Sequence, residues 1–142
     1  MTVLKASELT LGQTFETVVV EDLKRTQIVQ YAGASGDYNP LHTDEVYATK
    51  IAGYPSVFAH GMLTMGLTGQ AVTALAGPEN LLRFGVRFTA QVWPGDTLTA
   101  AATVRQLREL DDGSPAVDFE VVTRNQDGAV VFSGEASARI DP

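Results

Sequence analysis

The chain has 142 residues, 44% hydrophobic and 19% charged, enough apolar material for one packed core and too much for global disorder. Seventeen acidic against ten basic residues leave a net charge of −7, which argues against holding nucleic acid or an anionic membrane through the overall field. With no cysteine, and His42 and His60 as the two histidines, disulfides, thiolate nucleophiles and iron–sulfur centres are excluded, a His-rich metal site is disfavoured, and no metal or cofactor is expected.

In chain order, Met1–Glu8 lacks a basic stretch followed by an apolar core, so no signal peptide is read there. The β-branched run Thr17-Val18-Val19-Val20 predicts a first strand over Phe15–Glu21. Asp22 and Thr26 flank a short helical pattern (Ile28, Val29, Tyr31, Ala32) that ends at Gly33 or Gly36. Ser35–Leu41 reads as a loop, broken by Gly36, Asn39 and Pro40. A second short helix is predicted from Asp44 to about Lys50, N-capped by Thr43. Gly61–Ala76 follows without a single charge and stops at Gly77-Pro78. It is shorter than the ~20 apolar residues of a membrane span, so it is expected to be a helix buried on all sides. From Leu82 the pattern alternates in twos as far as Val92. Turns at Pro94-Gly95, at Asp111-Asp112-Gly113 and at Asp127-Gly128 separate three further alternating stretches, the last being Val130–Arg139. The prediction is one α+β domain over residues 1–142. A curved antiparallel sheet of about five strands, four of them a meander, wraps a buried central helix in the hotdog arrangement. The protein is expected to be soluble and cytoplasmic.

The chemistry concentrates in Tyr31-Ala32-Gly33-Ala34-Ser35-Gly36-Asp37-Tyr38-Asn39-Pro40-Leu41-His42. On an α-helix Asp37 and His42 would point about 140° apart. They converge only if the chain turns, and Asn39-Pro40 enforces a turn while Gly36 permits an unusual dihedral to start it. A neutral histidine can take a proton from water, and a nearby carboxylate can hold that water. Taken singly, either residue is more often structural; the whole string is what carries the catalytic reading.

That string resembles the hydratase motif of the MaoC-like (R)-specific enoyl-thioester hydratases and 3-hydroxyacyl-thioester dehydratases. The motif is an aromatic residue, then Ser-Gly-Asp-x-Asn-Pro-(Leu/Ile/Val)-His, then a small residue six positions on. Tyr31, Ser35, Gly36, Asp37, Asn39, Pro40, Leu41, His42 and Ala48 match it, while Ala34 stands where a larger aliphatic is common. The resemblance extends through Ala59-His60-Gly61-Met62, through Arg87-Phe88-Thr89-Ala90-Gln91-Val92, and through Pro94-Gly95-Asp96. Within the family the likeness leans towards the catalytic subunit of mycobacterial (3R)-hydroxyacyl-carrier-protein dehydratases.

The resemblance implies a reversible syn addition of water to a trans-2-enoyl thioester, carried on coenzyme A or acyl carrier protein, giving the (R)-3-hydroxyacyl thioester. Asp37 and His42 would be the catalytic pair, sharing one water. Gly61 opens the uncharged helix, so its unpaired N–H can meet the thioester oxygen as the enolate develops. Asn39 is carried with Gly61 as a substrate-binding candidate, although its side chain is better suited to locking the loop than to catalysis. His60 reads as a structural hydrogen-bonder near the helix start. Arg83 and Arg87 read as a solvated strand face, with thioester-carrier phosphates as the rarer alternative. The small side chains Gly66, Gly69, Ala71 and Ala74 either admit a strand or leave a slot for an acyl chain. The resemblance also implies edge-to-edge association, as a homodimer or with a paralogous hotdog subunit.

Three other readings stay open. A hotdog thioesterase would carry a carboxylate on the central helix, and Gly61–Ala76 has none. A non-catalytic acyl-thioester binder would not require Asp37 and His42 together. A catalytic half that depends on a partner for its acyl pocket is compatible with everything above.

Overall fold

The computed structural model describes residues 4–142; Met1, Thr2 and Val3, the start of the segment read as leaderless, lie outside the described residues. Five strands form one sheet: β1 (Thr14–Val20), β2 (Leu81–Phe88), β3 (Leu98–Glu109), β4 (Pro115–Arg124) and β5 (Val130–Arg139). Their order is β1-β3-β4-β5-β2, with every neighbouring pair antiparallel.

The expected four-strand meander therefore holds only for β3, β4 and β5. β2 lies beside β5 at the far edge, and residues 89–97 carry the chain back across the end of the sheet to β3. Burial explains the placement. β3 turns Leu98, Ala100, Ala102 and Val104 into the core and needs a neighbour on each side. β2 exposes Leu82, Arg83, Arg87 and Phe88, which an edge position tolerates. The predicted alternation to Val92 likewise stops at Phe88.

Two helices complete the domain, α1 (Arg25–Ser35) and α2 (Gly61–Ala76). Gln27 Oε1 accepts the Lys24 N–H at 2.8 Å at the start of α1. Gly36 closes it in the left-handed region at φ 75°, where glycine pays no steric penalty. The second predicted helix is a brief π-helical turn over Tyr47–Ile51. The side chain that holds its entry is Asp44, whose Oδ1 accepts the Tyr47 N–H at 3.0 Å, in place of the expected Thr43. A carboxylate at that position also meets the positive end of the turn.

α2 packs on the inner sheet face against β1, β2, β3 and β5. It buries a single i, i+4 stripe, Thr64, Thr68, Val72 and Ala76. Met62, Gly66, Gln70 and Ala74 stay exposed, which corrects the expectation of burial on every face: one five-stranded sheet covers only one side of a helix. Under the stripe lie Phe119, Val121, Val104 and Ala136, and a second cluster at the head of α2 gathers Ile28, Leu98, Val131 and Phe132. Among the described residues no helix is long and apolar enough to cross a membrane.

Candidate active site

The loop from Ser35 to Asp44 is built from side chains that replace missing backbone partners. Ser35 Oγ donates to the Tyr31 carbonyl at 2.7 Å and accepts the Asp37 N–H at 3.2 Å. Asp37 Oδ1 accepts the Asn39 N–H at 3.2 Å, and Asn39 Oδ1 accepts the Leu41 N–H at 3.0 Å. These are successive Asx turns, each fixing the backbone two residues ahead. After Pro40 one helical turn closes, with the Asp44 N–H on the Pro40 carbonyl at 2.9 Å. The motif's spacing thus has a mechanical reason: each Asp or Asn sets the direction in which the next residue leaves.

The product is a converged trio. One ligating atom from each of Asp37, His42 and His60 lies within 4.8 Å of the others. Asp37 is exposed, His42 is partly buried and His60 is 2% exposed. His42 Nδ1 donates to the Phe58 carbonyl at 2.7 Å, which places the proton on Nδ1 and leaves Nε2 as the free basic nitrogen. Burial pushes the His42 pKa below its ordinary 6.5 and His60 adds to the lowering, while the Phe58 carbonyl and Asp37 pull the other way. The ring is therefore a neutral base at pH 7. The His42 and His60 rings stack with centroids 3.8 Å apart and 27° between planes. Lone pairs in stacked rings run side by side instead of converging, so the pair is poorly disposed to chelate one cation between them.

Gly61 begins α2 directly after His60, and no side chain caps that end. Its N–H has no acceptor within the helix. A cleft of about 330 Å³ opens there, lined by Phe58, Gly61, Thr64, Phe88 and Gln91 among others. A larger hollow of about 950 Å³ is edged by Arg83, Arg87, Arg105 and Arg108, with no residue of the 35–44 loop. Neither hollow is lined by a residue of the 35–44 loop, but the smaller one includes Phe58, whose carbonyl holds His42, and Gly61, the neighbour of His60, so it adjoins the Asp37–His42–His60 trio and is the candidate site. Arg105 and Arg108 are paired with Glu120 and Asp118, while Arg83 and Arg87, read from the sequence as a solvated strand face, are exposed on β2.

Each sequence-derived candidate can now be placed. Asp37 and His42 come together, and Gly61 lies on the adjoining cleft. Asn39 spends its carbonyl oxygen on the loop and its side chain is exposed. At Gly69 a Cβ would meet the Phe84 ring in ordinary contact at 3.4 Å, so helix and strand approach closely there. Thr68 is fully buried and bonds Thr123 across the core at 2.8 Å. Three neighbours of the trio and cleft were not legible in advance. The Phe58 carbonyl sets the His42 tautomer, Thr64 lines the cleft at 2% exposure, and Phe88 covers Gly61. Thr64 at one turn past Gly61 was the only available signal, since i+3 shares its face.

Residues 6–125 match the MaoC like domain, and the chain belongs to that family. It is 44% identical over 106 residues to 3-hydroxyacyl-thioester dehydratase Y of Mycobacterium tuberculosis, covering 69% of this chain and 36% of that protein. To the (R)-specific enoyl-CoA hydratase of Rhodospirillum rubrum it is 33% identical over 124 residues, covering 86% and 83%. Its fold superposes on R-hydratase PhaJ1 of Pseudomonas aeruginosa with a TM-score of 0.80 at 31% identity, covering 95% and 84%. The hotdog architecture expected from the sequence is thereby established. The chain spans about a third of the length of the first curated relatives it matches.

Proposed function

We propose that this chain is a hydro-lyase that adds water reversibly across a trans-2-enoyl thioester to give the (R)-3-hydroxyacyl thioester. The observation that carries the reading is the turn-enforced convergence of the Asp37 carboxylate on a His42 ring whose Nδ1 is already committed to Phe58. Similarity to an (R)-specific enoyl-CoA hydratase over most of both chains supports it.

In the hydration direction a water is held between Asp37 and His42 Nε2. As its oxygen bonds to C3, His42 Nε2 takes one of its protons. Electron density moves through C2 to the thioester oxygen, where the Gly61 N–H and the positive end of α2 meet the growing charge. The proton held on Nε2 then passes to C2, so that hydroxyl and hydrogen are both accounted for by one water. Dehydration is the same path reversed. The exposed Met62 and the exposed edge residues Leu82 and Phe88 favour pairing through β2, as a homodimer or with a hotdog paralogue.

The test is hydration of crotonyl-CoA by the purified chain alone, followed as loss of enoyl absorbance. Activity is expected, and Asp37→Asn and His42→Gln should each fold yet lose at least ~10²-fold in turnover, the scale of a positioned acid or base. Wild-type rates in either variant would overturn the assignment.

A further inference from the structure

His60 is not needed by the mechanism above, and as a packing residue it is peculiar. It is 2% exposed, its Nε2 donates to the Asp37 main-chain carbonyl at 3.0 Å, and its Nδ1 is sealed from solvent with no hydrogen-bond partner among the described residues. An unpaired buried acceptor is a standing cost that a purely space-filling side chain would not carry. One face of the ring lies against His42 at 3.8 Å, and Tyr31 approaches with centroids 4.9 Å apart.

We propose that His60 is a positioning residue for the hydration: it ties the main chain of Asp37 to the head of α2 and braces the His42 ring, fixing acid and base at one separation. The two halves of the pair arrive from opposite ends of a loop of Asx turns, and neither is anchored to the other. His60 touches both at once. It thereby references the pair to α2, the element that also presents Gly61, so that water, base and anion-binding amide share one rigid frame.

The stack has an electrostatic side. A positive charge on His42 is opposed by the neighbouring imidazole, which adds to the effect of burial, while Asp37 acts in the opposite sense. Of the other elements packed here, α1 brings the Tyr31 phenol, and residues 88–92 and the first turns of α2 bring Gln91 and Thr64, none of them charged.

This inference rests on the hydratase reading, so its test has a readout that needs no substrate. In the wild-type protein, nitrogen NMR should show hydrogen on Nδ1 of His42 and on Nε2 of His60; the opposite tautomer on His60 overturns the proposal. His60→Phe keeps a ring on His42 and loses the donor to Asp37, whereas His60→Gln keeps the donor and loses the ring. With folding checked by circular dichroism, His60→Gln should move the His42 titration to higher pH, and His60→Phe should lower kcat by up to about 10²-fold with little change in KM, the scale of a small misplacement. An unmoved His42 titration in both variants overturns the positioning role whatever the activity. A silent enzyme with the expected tautomers and shifted titration overturns the hydratase reading instead.

Discussion

At the scale of single residues, one proton decides what the site can do. The Phe58 carbonyl fixes the hydrogen of His42 on Nδ1, and burial holds the ring's pKa below 6.5. A base with a lowered pKa keeps its lone pair further into the acid range. We therefore expect kcat/KM for hydration to stay level from neutral pH down past 6.5 and to fall only below it, measured as a pH–rate profile with a short enoyl-CoA. An acid limb centred above 6.5 would contradict the environment seen here. Stability follows the same sign. As pH drops below 6.5 the unfolded chain takes up the His42 proton before the native state does, so stability declines through that window. Asp37 and His42 were readable because the turn chemistry that brings them together is written in consecutive letters. The partners that tune them were not. A carbonyl at Phe58 or a ring stack on His60 depends on how two distant segments meet, and no local pattern announces either.

Among the elements, β5 and β2 run backbone to backbone where Gly134 pairs with Val86, beside Gly85. A Cβ on Gly134 would lie 2.0 Å from the Gly85 carbonyl oxygen and 2.7 Å from Val86 Cα. Both are backbone atoms and cannot swing aside. Gly134→Ala should therefore loosen the β2 edge, costing on the order of 1–3 kcal/mol as overpacking does, with amide exchange accelerated in β2 before β3 or β4. Uniform protection across the sheet in that variant would refute the account. The strands themselves were largely visible as period-two runs, and Gly61–Ala76 and Val130–Arg139 have the predicted bounds. What alternation cannot convey is neighbour order. The jump of β2 to the far edge is set by which strands must be covered on both sides, a property of the finished sheet. The apolar helix misled for a related reason, because lack of charge reports what a surface will be covered by without saying whether this chain supplies the cover.

For the whole molecule, that uncovered surface is the main unfinished business. Met62 is 54% exposed, Phe88 49% and Leu82 45%, at the head of α2 and along an unpaired edge strand. Such an edge invites pairing with another strand, and exposed apolar side chains beside it make the pairing favourable. Light scattering at micromolar concentration should give the mass of a dimer for the chain alone, or a complex of equal size once a hotdog paralogue is supplied. A monomer with full hydratase activity would show that the edge is left bare in the working protein.

The ring of Phe88 over Gly61 has a consequence for how such a sequence can change. A Cβ at position 61 would come within 3.1 to 3.2 Å of three atoms of that ring. The glycine is held in place by a neighbour's bulk more than by its own backbone, since no left-handed dihedral is required there. The two positions should thus trade volume. Gly61→Ala alone should lower the melting temperature, and Phe88→Leu in the same chain should restore it, a coupling read from a double-mutant cycle. Drift at one site is then conditional on drift at the other: a lineage that shrinks residue 88 gains freedom at 61, and one that keeps phenylalanine has closed that route.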